Sequence, residues 1–182
     1  MLDHQQEKFS VRLMIFGAVS VRGLLPPGAP IFVDQMLEEW DPRPKTVTGE
    51  IYADLIRTVV AREAKKLYPR GNAIWQDDGA RIHRTAEVLE AVDEVFKYRV
   101  PVEVQAAKMA DVWVIENVWG IIKEKVKAAE PKTKEALRKV IIKSWRDINS
   151  DKALLFRLMS SLPKRFRAVV EKNGEQLRPD DY

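Results

Sequence analysis

Ala73-Ile-Trp-Gln-Asp-Asp-Gly-Ala-Arg-Ile-His83 decides how this chain is read. A short apolar run follows the stop at Pro69-Arg-Gly71 and ends in two carboxylates. That pattern predicts a buried strand delivering acid groups to a sheet edge. Successive strand residues point to opposite faces, so Asp77 and Asp78 are not expected to serve the same ligand. Asp-Gly after a strand is also an ordinary turn, so the segment gains meaning only from its surroundings.

Upstream, Val11 to Val19 is apolar and partly alternating and predicts a strand. Gly23 to Pro30 predicts a turn, Ile31 to Val33 a second strand, and Asp41 to Lys45 a loop. Tyr52, Leu55, Ile56, Val59, Val60 and Leu67 form one apolar stripe, predicting a helix over 50–68. Downstream, a helix over 84–96 and a short strand over 100–104 are expected. Further helices follow: one from Trp113 to Ala128, one begun near Pro131, one capped by Asp151, and a last short one carrying Phe166, Val169 and Val170 and stopped by Gly174. The tail to Tyr182 is polar and is expected to be loose.

Within Asp111-Val-Trp-Val-Ile-Glu-Asn-Val-Trp-Gly120, Glu116 sits at the border of an apolar stripe near a helix start. Two roles fit it there, a partner for the helix dipole or a metal ligand facing the sheet. Trp75, Trp113, Trp119 and Trp145 lie on apolar stripes, which favours core packing over base stacking.

The chain has no cysteine, which excludes disulfides and thiolate metal sites. No apolar run approaches a membrane span, and Met1 to Ser10 is polar without the apolar core of a secretory leader. Charge is uneven. Residues 117–182 hold 16 Lys+Arg against 9 Asp+Glu, whereas residues 1–116 hold 15 against 18. The basic end suits either a polyanion partner or a solvated helical surface.

Asp78 and Glu116 are separated by 37 residues. Taken together, their two segments resemble mariner-type DNA transposases of the DDE superfamily. Those enzymes carry Gln-X-Asp-Asn-Ala-Pro-X-His at a strand end and later Asp-X-X-Pro-Ile-Glu-Asn-X-Trp-Gly. The matching residues here are Gln76, Asp78, Ala80 and His83, then Asp111, Ile115, Glu116, Asn117, Trp119 and Gly120. Ile15-Phe-Gly-Ala-Val-Ser20 is similar to the family's Val-Trp-Gly-X-X-Ser strand. Ser160-Ser-Leu-Pro-Lys-Arg165 is similar to its closing Ser-Met-Pro-Arg-Arg helix. Gly79, Arg81 and Val114 depart from the pattern, as does the loop over 104–110.

The resemblance implies an α/β, ribonuclease H-like catalytic domain over residues 1–174: a mixed central sheet flanked by helices, with a helical C-terminal end and a polar tail over 175–182. It implies two Mg²⁺ ions, replaceable by Mn²⁺, held by Asp78 and Glu116 with a further aspartate. The ions would serve cleavage and strand transfer of DNA by phosphoryl transfer. The family's first aspartate and its strand would precede this chain; Asp3 is a poor substitute and Asp34 fits a non-catalytic position. The expectation is therefore an incomplete catalytic domain, or a transposase-derived module that binds DNA or another protein without catalysis. DNA contacts are expected among His83, Lys123, Lys127, Lys164 and Arg165. The resemblance further implies transposon ends and target DNA as partners, a possible homodimer, and the nucleus.

Overall fold

The computed structural model describes residues 11–40, 42–104 and 109–181. The polar leader Met1 to Ser10 with Asp3, Asp41, most of the divergent loop before Met109, and Tyr182 lie outside the described residues. The short strands come early: β1 (Ile15–Phe16), β2 (Ala18–Ser20), β3 (Gly23–Leu25) and β4 (Ile31–Phe32), followed at once by a single helical turn, α1 (Val33–Met36). Next comes a helix over 49–67, built from α2 (Gly49–Leu55), a π-helical stretch (Ile56–Val60) and α3 (Ala61–Leu67). Strand β5 (Ile74–Trp75), α4 (Ala86–Val95) and β6 (Tyr98–Arg99) follow. The chain then becomes helical: α5 (Val114–Ala129), α6 (Lys134–Ser150), α7 (Lys152–Ser160) and α8 (Leu162–Glu171).

The expected ribonuclease H-like architecture is corrected here. Among the described residues no central mixed sheet exists, only three separate two-stranded sheets in a mostly helical chain. Strands β1 and β4 pair antiparallel, as do β2 and β3, while β5 and β6 pair parallel across the α4 crossover. Local chemistry shortens each strand. Gly17 splits the expected strand over 11–19 into β1 and β2. The turn falls at Val21-Arg22, so Gly23 to Leu25 pairs with β2 where a turn was expected. Val33 is drawn into α1. Pro101 has no amide donor, so β6 ends at Arg99 and residues 102–104 form a 3-10 turn where a strand was expected.

The helices match their apolar periodicity more closely. Thr48 caps the 49–67 helix by accepting from the Ile51 amide, and Tyr52, Leu55, Ile56 and Val60 are buried. With Val88, Ala91, Val92, Trp75 and Phe96 they make the first core. Helix α6 begins later than the proline suggested, because Thr133 is its cap and Pro131 lies outside it. Asp151 caps α7 as expected, accepting from the Leu154 amide at 2.8 Å. The second core joins α5, α6 and α7 to the β2–β3 hairpin through Val118, Ile122, Leu137, Ile141, Trp145, Ile148, Leu155 and Leu24.

Trp145 is fully buried and stacks on Trp119 with ring centroids 5.7 Å apart. Its indole N–H donates to the Pro26 carbonyl at 2.6 Å. One turn further along α6, Asn149 accepts from the Leu24 amide at 2.8 Å and donates to the Pro27 carbonyl. The indole edge reaches so close to Gly17 that a Cβ there would lie 2.2 Å from Trp145 Cη2. The tail is docked rather than loose. Leu177 is buried, its amide donates to Asp111 Oδ2, and Lys172 holds Asp181 at 2.7 Å. Gly174, at φ 85°, closes α8 with its amide on the Val169 carbonyl.

Gly17→Ala is expected to destabilise the fold by roughly 1–3 kcal/mol through overpacking, and Trp145→Ala by roughly 3–5 kcal/mol through the cavity it leaves. Denaturant unfolding of both single variants and of Gly17→Ala with Trp145→Phe checks this. The smaller ring should recover part of the alanine's cost, and strict additivity would refute the contact.

Candidate functional site

The acidic end of β5 is built on two aromatic contacts. Trp75 is buried against Phe96 at 4.8 Å, and its indole N–H donates to Asp77 Oδ2 at 3.1 Å. That bond turns Asp77 back toward its own strand. Burial raises the Asp77 pKa, opposed by the Trp75 hydrogen bond and the nearby His83 and Arg84. Asp78 faces the other way, with its side chain 64% exposed. β5 ends at Trp75, so both carboxylates lie beyond the strand, and their environments differ because the Trp75 indole engages Asp77 while the turn that follows engages Asp78.

Asp78 Oδ1 accepts from the Ala80 amide at 3.1 Å and lies 2.7 Å from His83 Nδ1. The loop that makes this possible is a 3-10 turn over Arg81–Arg84, started by the His83 amide on the Ala80 carbonyl. His83 stacks on Tyr52 of α2, centroids 4.3 Å apart and planes inclined by 21°. Tyr52 in turn meets Phe16 of β1 edge-on at 5.7 Å. The imidazole is thus fixed between an aromatic floor and a carboxylate. The interaction with His83 is the main reason the Asp78 pKa is lowered, and the Ala80 amide adds to it. Burial works to lower the His83 pKa, but the carboxylates of Asp78 and Asp77 outweigh it, and the net shift is upward. Burial, with Asp77 and Asp78 adding to it, also pushes the Tyr52 hydroxyl far up. Tyr52 is the member of this cluster that sequence reading did not single out; it looked like one more residue of an apolar stripe.

Glu116 stands apart. It lies in the first turn of α5, exposed, and among the described residues it makes no side-chain hydrogen bond or ion pair. That location suits the helix dipole, whose positive end no side chain caps. Among the described residues no group of three or more His, Cys, Asp or Glu side chains gathers in a metal-holding arrangement. Asp34 forms an ion pair with Arg138 of α6.

The expected DNA-contacting cations divide. Lys123, Lys127 and Lys164 are exposed. Arg165 is 3% exposed and faces inward, donating to the Asp111 and Val112 carbonyls and to Asn117 Oδ1. A guanidinium so placed ties α8 to the start of α5 and is not presented to a phosphate. Of the four tryptophans on apolar stripes, Trp75 and Trp145 are buried, Trp119 stacks on Trp145, and Trp113 meets Phe166 edge-on. All four pack internally. No helix of the described residues is long and apolar enough to cross a membrane.

The Asp78–His83 pair is fully charged only between the lowered pKa of Asp78 and the raised pKa of His83. The aspartate's contribution disappears as pH falls through its folded pKa. The histidine's is complete below its ordinary value and disappears as pH rises through its folded pKa. Asp78→Asn is expected to cost roughly 1 kcal/mol or less near about pH 6, an exposed pair's usual worth, and less near about pH 9. Thermal midpoints of parent and variant at the two pH values check this, and equal penalties would refute the pairing. No family model matches this chain, and no curated protein sequence matches it either.

Proposed function

We propose that this chain is a mariner-type transposase derivative that engages DNA, with Asp78 as its phosphodiester-directed carboxylate and Glu116 as the second acidic group. The observation that carries the reading is Asp78 itself. A carboxylate in the loop after β5 is held ionised by an amide and an imidazole, yet is turned to solvent.

The donor set has the right chemistry for magnesium, since carboxylate oxygens suit a hard cation that keeps several waters. It is short in number. Two-ion phosphoryl transfer needs three carboxylates, and the described residues bring no such group together. No cleavage step is derived for this chain alone. Its own residues support narrower roles: Asp78 binds, His83 fixes the Asp78 rotamer, and Tyr52 fixes His83. The same shortfall favours a second reading, a DNA-binding module without catalysis, in which the exposed lysines of α5 and α8 contact phosphate.

Thermal shift with millimolar Mn²⁺ or Mg²⁺ separates the two. A working carboxylate site predicts a raised midpoint in the parent chain, lost in Asp78→Ala and reduced in Glu116→Ala. Plasmid nicking that both substitutions abolish would show that a third ligand is supplied from elsewhere. No metal-dependent shift in a folded parent chain removes the metal-binding role and leaves the binding module.

A further inference from the structure

Helix α6 is the most constrained element of the second core on one side and the most cationic on the other. Its inner face carries Leu137, Ile141, Trp145 and Ile148. Its outer face carries Lys139, Lys143 and Arg146, four and three residues apart. At about 1.5 Å rise per residue they span roughly 10 Å of one stripe. They line an open hollow of about 380 Å³ together with Ile142 and Asp147. A second hollow, of about 300 Å³, is of opposite charge, lined by Glu50, Asp54, Glu87 and Glu90 around Arg57 and Trp40.

The three cations are not equally engaged. Arg146 Nε donates to the Gly28 carbonyl at 2.8 Å, and its other guanidinium nitrogens make no hydrogen bond to the described residues. The hairpin loop thus holds the side chain in position. Lys143 pairs with Asp147 at 2.6 Å, both groups largely exposed. Lys139 makes no hydrogen bond or ion pair among the described residues. A lysine stripe on a solvated helix is common, and what distinguishes this one is its footing. The helix beneath it is pinned at Trp145 and Asn149, so the charges stand on a rigid base.

We infer that this face of α6 is a docking surface for the phosphate backbone of double-stranded DNA, contacted through Lys139, Lys143 and Arg146. This rests on the DNA reading above. Charge complementarity selects a polyanion, because each neutralised phosphate releases condensed counterions. The absence of any aromatic side chain from the hollow selects a duplex over a single strand, which would need platforms for unstacked bases. The three cations are assigned to phosphate oxygens, contacts that position a protein on the duplex without carrying sequence information. Asp147 acts against binding by holding Lys143 and repelling phosphate.

The test is fluorescence anisotropy of a labelled duplex of arbitrary sequence with the full chain over a salt series. The variants are Lys139→Gln with Lys143→Gln, Asp147→Asn, and Lys123→Gln with Lys127→Gln. Removing the two α6 lysines should weaken binding roughly ten-fold and reduce the salt slope by about 0.9 per lost contact. Asp147→Asn should tighten it, an effect that damage to the fold would not produce. Should the lysine variant unfold, the Asp147→Asn result alone decides: tightening supports the surface and no change overturns it. Unchanged affinity and slope in the α6 lysine variant, or no duplex binding by the parent chain, also overturns it. If the α5 variant alone loses binding, the surface lies on α5 and this inference fails while the DNA reading stands. Binding lost with the α6 lysines but no metal-dependent shift at Asp78 leaves the surface standing and removes the carboxylate role.

Discussion

The indole of Trp145 is where the two kinds of secondary structure in this chain are joined. It fills the space left by the missing side chain at Gly17, stacks on Trp119, and satisfies its own N–H on the Pro26 carbonyl. A fully buried indole without that partner would carry a desolvation cost of about 1–3 kcal/mol. The carbonyl can be there only because the β2–β3 hairpin delivers Leu24 and Leu25 into the cores and brings the loop after them over α6. Asn149 and Arg146 extend the same clamp along the loop, to Leu24, Pro27 and Gly28. Two short strands that could not persist as an isolated hairpin are thereby stabilised by a helix more than a hundred residues away in sequence.

That long separation explains what the sequence could and could not convey. The helices were legible because each carries its own record of burial in a period near 3.6: Tyr52 to Val60, Val118 to Ile122, Leu137 to Ile148. The strands were not. The apolar, partly alternating run from Val11 to Val19 looked like one long strand, but whether it pairs depends on partners elsewhere, and Gly17 is small to admit Trp145. A central sheet, as the family resemblance implied, would need these runs to extend further than they do. The tail misled for the opposite reason. A polar composition predicted looseness, while a single leucine, Leu177, and the Asp111 carboxylate suffice to hold it.

The acidic site was legible in part. Strand alternation was the reason given to separate Asp77 from Asp78, but β5 ends at Trp75; the two differ because the Trp75 indole takes one and the turn over 81–84 the other. The Asp78–His83 contact depends on a 3-10 turn with no strong sequence signature. Its aromatic floor comes from Tyr52, which belongs to a helix already explained by its apolar stripe. Residues that serve two purposes are hidden from periodicity arguments, because the bland role accounts for them fully.

The segment from Asp111 to Gly120 shows why a motif and a site are different things. Asp111 anchors the tail through Leu177 and, with Val112, offers its carbonyl to Arg165. Asn117 accepts from that same guanidinium, and Val114 and Val118 are buried. Most of the segment is therefore committed to tying α8 and the tail to the start of α5. Substituting Asn117 would take a side-chain acceptor from the buried Arg165, and substituting Asp111 would release the Leu177 amide, so any loss of activity would report the fold. Glu116 alone is exposed and makes no side-chain contact among the described residues. A residue that the fold does not use is the one whose removal can be interpreted chemically, so in this segment a Glu116 substitution is the one whose effect would not be confounded with loss of structure.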